Sequence, residues 1–155
     1  MGCGKDHRSG NCVCDVLKEI EDAQQDVVEN CCSTSCEKSI NDLLGESDGG
    51  GGNNGLDTVP VILYCGDGCE PFKGYGANPN DVSNMTSSFY FRVKKIDENC
   101  CAVVELLRDP HDDNESPHDP IHQYTKHLCA TGICITVDLD CFCHVTCLPA
   151  INAFR

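Results

Sequence analysis

Apolar residues recur at intervals of three and four through NCVCDVLKEIEDAQQDVVENCC, at Val13, Val16, Leu17, Ile20, Ala23, Val27 and Val28. That is the period of a helix with one apolar face. Asn11 stands where a cap is needed and Asp15 suits the positive end of the helix dipole, so a helix is predicted over residues 12–30. After a Ser/Thr-rich turn holding Cys31, Cys32 and Cys36, SINDLLG offers one or two further helical turns that end near Gly45. The pattern then changes. TVPVILYC, SSFYFRVKKI, CCAVVELLR and ICITVDLDCFCHVTCL are rich in β-branched and aromatic residues, which suit strands. The stretch GDGCEPFKGYGANPND reads as turns between the first two runs, and DPHDDNESPHDPIHQ reads as a long exposed loop before the last.

These elements imply an α+β fold: a mostly antiparallel β-sandwich or barrel-like domain, with an amino-terminal amphipathic helix packed on it or extending to a neighbour. The expected organisation is a flexible arm over 1–10, a helical segment with a cysteine-rich turn over 11–45, a Gly/Asn-rich loop over 46–56 and a β domain over 57–155. In the last run Ile133, Ile135, Val137, Leu139, Cys141, Cys143, Val145 and Cys147 share one parity. If the strand stays in phase, that parity is the buried face and the three cysteines continue an apolar stripe.

Charge narrows the function. Eleven Lys and Arg stand against 25 Asp and Glu, a formal net charge of −14. Such a surface repels phosphate backbones and anionic membranes, so nucleic acid and lipid are not expected as partners. No apolar run at the amino terminus has the length of a signal peptide, and none later approaches the roughly 20 residues of a membrane span. Asp6 replaces the Ser or Thr that myristoylation expects. Synthesis in a cytoplasm without a signal peptide is the expectation. Fifteen cysteines then call for an explanation, because a cytoplasm keeps thiols reduced and a chain of 155 residues can bury an ordinary core without disulfide staples.

Three chemistries are open to the thiols. A nucleophile paired as Cys143 with His144 fails on geometry, since neighbours on a strand point to opposite faces. No CxxC occurs, which removes the usual signature of a thioredoxin-like site. Zinc knuckles are a second reading: Cys65 and Cys69 flank a Gly-Asp-Gly turn and could chelate, whereas Cys143 and Cys147 on a strand would stand about 13 Å apart. His111, His118, His122 and His127 belong with a solvated polar loop. Disulfides are the third. The pairs Cys31/Cys32 and Cys100/Cys101 do not suit closure on themselves, and each offers thiols in two directions. Cys3, Cys12, Cys14, Cys31, Cys32 and Cys36, on an arm, at helix ends and in a turn, are candidates for cross-links between chains. Cys100, Cys101, Cys129, Cys134, Cys141, Cys143 and Cys147 are candidates for the core or for bonds within the chain.

MGCGK with NCVCDV, the CCSTSC turn, DTVPVILY, FYFRV, CCAVVELLR and above all CITVDLDCFCHVTCL together resemble the Bacillus-type spore coat CotY/CotZ and exosporium ExsY family. The GGGGNNG loop and the histidine-rich acidic loop depart from it. The resemblance implies a non-enzymatic building block without cofactor, made in the mother cell and located in the spore coat or exosporium. Its partners would be further copies of itself and other coat proteins. Its cysteines would link two-dimensional lattices, often built on hexameric rings. The alternative kept beside it is a cysteine-rich zinc-binding or metal-storage protein.

Overall fold

The computed structural model describes residues 10–27, 32–45 and 54–154. The chain divides into two compact units, residues 1–33 and 34–155. In the first, helix α1 spans Cys12–Val27. The Asn11 side-chain oxygen accepts from Cys14 N at 3.1 Å, which is the predicted cap. No residue of α1 is buried, and Val13, Val16, Leu17, Ile20 and Val27 are exposed. The predicted end of this helix, residues 28–30, lies outside the described residues.

The second unit starts with helix α2, Cys36–Leu44. Ser35 caps it by accepting from Lys38 N at 3.0 Å, Lys38 pairs with Asp42 one turn on, and Gly45 closes it in the left-handed conformation at φ 76°. Seven strands follow: β1 Val61–Cys65, β2 Gly74–Asn78, β3 Asp81–Ser88, β4 Phe91–Ile96, β5 Cys101–Arg108, β6 Cys129–Asp138 and β7 Phe142–Cys147. Five form an antiparallel sheet in the order β6-β5-β4-β1-β7, and β2 pairs with β3 as a separate hairpin. The architecture is sandwich-like and the barrel does not close.

Side chains of β1, β5 and β6 reach two different cores, one on each face of the sheet. On β1, Val61 and Leu63 join Phe91, Ala102, Val104, Leu106, Ile133 and Val137 on one face of the sheet. Ile62 points the other way, to Phe89, Tyr90, Leu107, Leu128 and Ala153. The hairpin covers the first face. A Cβ on Gly74 would stand 2.7 Å from a Phe91 ring carbon and 2.8 Å from Ile135 Cδ1, so only glycine lets β2 approach this closely.

Two sequence expectations change here. Strand β2 lies inside the stretch predicted as turns, because GYGAN has low β-propensity and is a strand through close backbone approach. The last run is two strands, divided by a 3₁₀ turn at Leu139–Cys141 that Asp138 caps by accepting from Asp140 N at 3.0 Å. The register also shifts between Tyr64 and Cys65, whose partners are His144 and Phe142. The apolar stripe therefore runs Ile133, Ile135, Val137, Leu139 and then Phe142, which meets Phe72 edge-on at 5.3 Å between ring centroids. Cys141 and Cys143 fall out of phase and are exposed. Cys147 returns to the core face.

The acidic loop after β5 is better anchored than its composition predicts. Buried Gln123 accepts from Phe89 N at 2.9 Å and donates to Ser88 Oγ at 2.8 Å. Buried Asp109 accepts from His111 N at 2.9 Å on one oxygen and from His127 N at 2.8 Å on the other. Burial alone would raise the Asp109 carboxyl; these two backbone donors and the His111 ring outweigh it and hold the group below its ordinary value. The folded-state pKa is thus lower than the unfolded value of about 3.9, so the stabilisation is full above that pH and is lost as pH falls through the folded-state value. In Asp109→Asn the amide nitrogen would face one of the two donors. Chemical denaturation should show a loss of roughly 1–3 kcal/mol near neutral pH and a shallower acid limb than the parent.

Candidate functional site

The chemistry of this chain is carried by its sulfur, which the fold sorts into distinct settings. In the amino-terminal unit Cys12 is disulfide-bonded, Cys14 is half-buried and unbonded, and Cys32 is exposed and unbonded. Cys3 and Cys31 lie outside the described residues.

Cys36 and Cys147 are bonded to each other, with Cα atoms 4.8 Å apart and a sequence separation of 111. Cys36, read from sequence as a link between chains, is therefore engaged within its own. The Ser35 cap fixes where α2 begins and so places Cys36 in its first turn. Ser39, three residues on and hence on the same helix face, is buried and donates its hydroxyl to Leu148 O at 2.7 Å. Cap, hydroxyl and disulfide together dock α2 beside the end of β7. A sequence signal existed in the cap and the i,i+3 spacing, but the partner could not be read without the fold.

A second group forms where β1 ends and β7 begins. Residues 66–69 make the turn after β1, closed by Cys65 N donating to Glu70 O at 2.9 Å. Gly66 N donates to Cys141 O at 2.7 Å, which ties the turn to the neighbouring strand. The Cys143 thiol lies 3.4 Å from Cys65 O and 3.6 Å from Cys69 Sγ. The hydrogen bond to Cys69, with burial next, pushes the Cys143 thiol above its ordinary value. Sequence reasoning placed Cys65 with Cys69; the fold adds Cys143, since strand pairing brings together residues 74 apart. Among the described residues no group of three or more His, Cys, Asp and Glu is arranged to hold a metal ion. His144 turns away from Cys143, packing on Tyr64 with ring centroids 4.3 Å apart.

The third group is at the β4–β5 turn. Cys100 has a left-handed backbone, φ 60°, and both Cys100 and Cys101 are exposed, where the sequence suggested core or internal bonding. The reason is position: Cys101 opens β5 opposite Asp138, at the end of the sheet. Asp97 accepts from Cys101 N at 3.0 Å. Its negative charge, then burial, Asp138 and Asp140, raise the Cys101 thiol, so near neutral pH less of it is thiolate, the attacking form. Cys134 is exposed on β6 between core residues Ile133 and Ile135, and Cys129 is half-buried, donating to His127 O at 3.4 Å. Among the described residues no helix is long and apolar enough to cross a membrane.

Most of the unbonded sulfur among the described residues is exposed, on a domain whose core clusters have no cysteine among their buried members. The profile of the spore coat protein Z family matches residues 1–150, and the chain belongs to that family. Spore coat protein Z of Bacillus subtilis (strain 168) is 30% identical over 149 residues, covering 91% of this chain and 90% of that protein. No solved structure matches the chain. The family supports a structural role in the spore coat.

The Cys36–Cys147 bond closes a loop of about 111 residues, the long-loop case in which a disulfide most restricts the unfolded chain. Cys36→Ser removes it while leaving Cys147 on the core face. Without reductant, the variant should unfold at about 2–5 kcal/mol lower stability than the parent, measured by denaturant titration.

Proposed function

We propose that the protein is a non-enzymatic building block of the spore coat or exosporium that assembles with copies of itself and with other coat proteins. Its copies form a two-dimensional lattice of ring-shaped units, hexameric by resemblance to the family, and disulfides between chains fasten it. The observation that carries the reading is the placement of thiols: among the described residues ten cysteines are unbonded, seven of them exposed. A fold that needed these groups for itself would have buried or paired them.

By resemblance to the family, the chain is made reduced in the mother cell and oxidised as the coat matures. A contact between unlike patches that closes on itself gives a ring, and a second contact between rings extends it to a sheet. Noncovalent contacts that overcome the repulsion of a net charge of −14 bring chains into register first. Bonds then form where thiols are already close, and a sheet joined at many points stays intact when one bond breaks. Cys12 is already bonded, so Cys14 and Cys32 remain the candidates for links among the described residues of the amino-terminal unit; exposed Cys100, Cys101 and Cys134 join them.

Purified protein oxidised in air should give high-order species on a non-reducing gel that collapse to monomer with reductant, and ordered rings or sheets by electron microscopy. Cys14→Ser with Cys32→Ser should weaken the ladder and leave the circular dichroism spectrum unchanged. Monomer in both lanes, without ordered particles, would count against the proposal.

A further inference from the structure

The group at the end of β1 carries chemistry that assembly does not require. We propose that Cys69 and Cys143 are a second pair within the chain, poised to form a disulfide that joins the turn after β1 to the irregular start of β7. Their sulfur atoms stand 3.6 Å apart, already in contact, and a bond needs them to approach to about 2.0 Å.

Both partners are held from either side. The turn is closed by the Cys65–Glu70 hydrogen bond and extended by the bridge between Tyr64 and Pro71, while Gly66 N on Cys141 O fixes it to the segment before Cys143. Cys69 itself has φ 53°, directly after Gly68 at φ 83°. Consecutive left-handed residues suit glycine or asparagine far better than cysteine, so a cysteine at the second position has a reason other than turn propensity. Cys143 sits where the β1–β7 register shifts, between Phe142, opposite Cys65, and His144, opposite Tyr64. That irregularity is what brings its thiol to the turn. Both residues are exposed, so a small oxidant can reach them.

A low-molecular-weight disulfide is the oxidant. The Cys69 thiolate attacks one sulfur of the reagent, whose S–S bond breaks and releases one thiol, leaving Cys69 in a mixed disulfide. Cys143 loses its proton and attacks the Cys69 sulfur; the second thiol leaves and the Cys69–Cys143 bond forms. Two electrons pass from the protein sulfurs to the reagent, which departs as two thiols. The Cys143 thiol donates its hydrogen to Cys69 Sγ, which fits Cys69 as the first attacker and Cys143 as the second.

The test must separate a bond within one chain from the links between chains proposed above. Unlabelled and isotope-labelled full-length protein are mixed while reduced, oxidised with glutathione disulfide, quenched by alkylation in acid, digested with pepsin and read by mass spectrometry. The expected result is a peptide pair joined through Cys69 and Cys143 with no mixing of isotopes. In Cys69→Ser, Cys143 should be recovered alkylated. Each single serine variant should show one more titratable thiol than the parent after oxidation, and the double variant none. The proposal is overturned if both residues are alkylated in the oxidised parent, if their linked peptides carry mixed isotopes, or if Cys143 in Cys69→Ser is bonded to Cys65. Mixed isotopes at other cysteines bear on the lattice alone.

Discussion

Apolar side chains pack against both faces of the central sheet, and this double burial decides where the sulfur can go. Val61, Leu63, Phe91, Val104 and Leu106 fill one side; Ile62, Phe89, Tyr90 and Leu107 fill the other. Neither cluster has a cysteine among its buried members. Close packing at crystal-like density leaves no interior room for further thiols. Among the described residues they occupy the first turns of the two helices, the turns between strands, strand ends and the outward parity of the edge strand β6. Cys147 reaches a core face only at its margin, and there it is bonded to α2.

Much of this could be read from the sequence. The three-and-four spacing gave α1, Asn11 gave its cap, and β-branched runs located most of the sheet. The misreadings have local causes. GYGAN looked like turn because its glycines serve a close approach to Phe91 and Ile135, which becomes visible only when the two layers are in place. The continuous stripe through Cys141 and Cys143 assumed an unbroken period of two; one capped 3₁₀ turn and one register shift were enough to hand the core position to Phe142. Cysteine pairing lay furthest from the sequence, since Cys36 with Cys147 and Cys69 beside Cys143 depend on strand order. Spacing had suggested Cys65 with Cys69, and the register supplied the third thiol.

The surface that holds the thiols is also strongly acidic, and the two properties act on each other. Asp97, Asp138 and Asp140 raise the Cys101 thiol, while Cys143 is raised mainly by its hydrogen bond to Cys69. Cysteines in such different surroundings react at different rates with the same oxidant.

The central claim is that exposed sulfur outside the Cys69–Cys143 pair joins finished subunits and does not build them. The direct measurement replaces Cys14 and the five exposed cysteines outside that pair, Cys32, Cys100, Cys101, Cys134 and Cys141, by serine together. Thermal unfolding is compared with the parent in the same reducing buffer, and sedimentation is compared after oxidation. The account predicts that the variant still unfolds cooperatively, with a midpoint within about 10 °C of the parent, since surface substitutions usually change stability by about 0.5 kcal/mol or less each, and far fewer covalent assemblies. A variant that is unfolded in reductant, or that still cross-links as extensively as the parent, would contradict it.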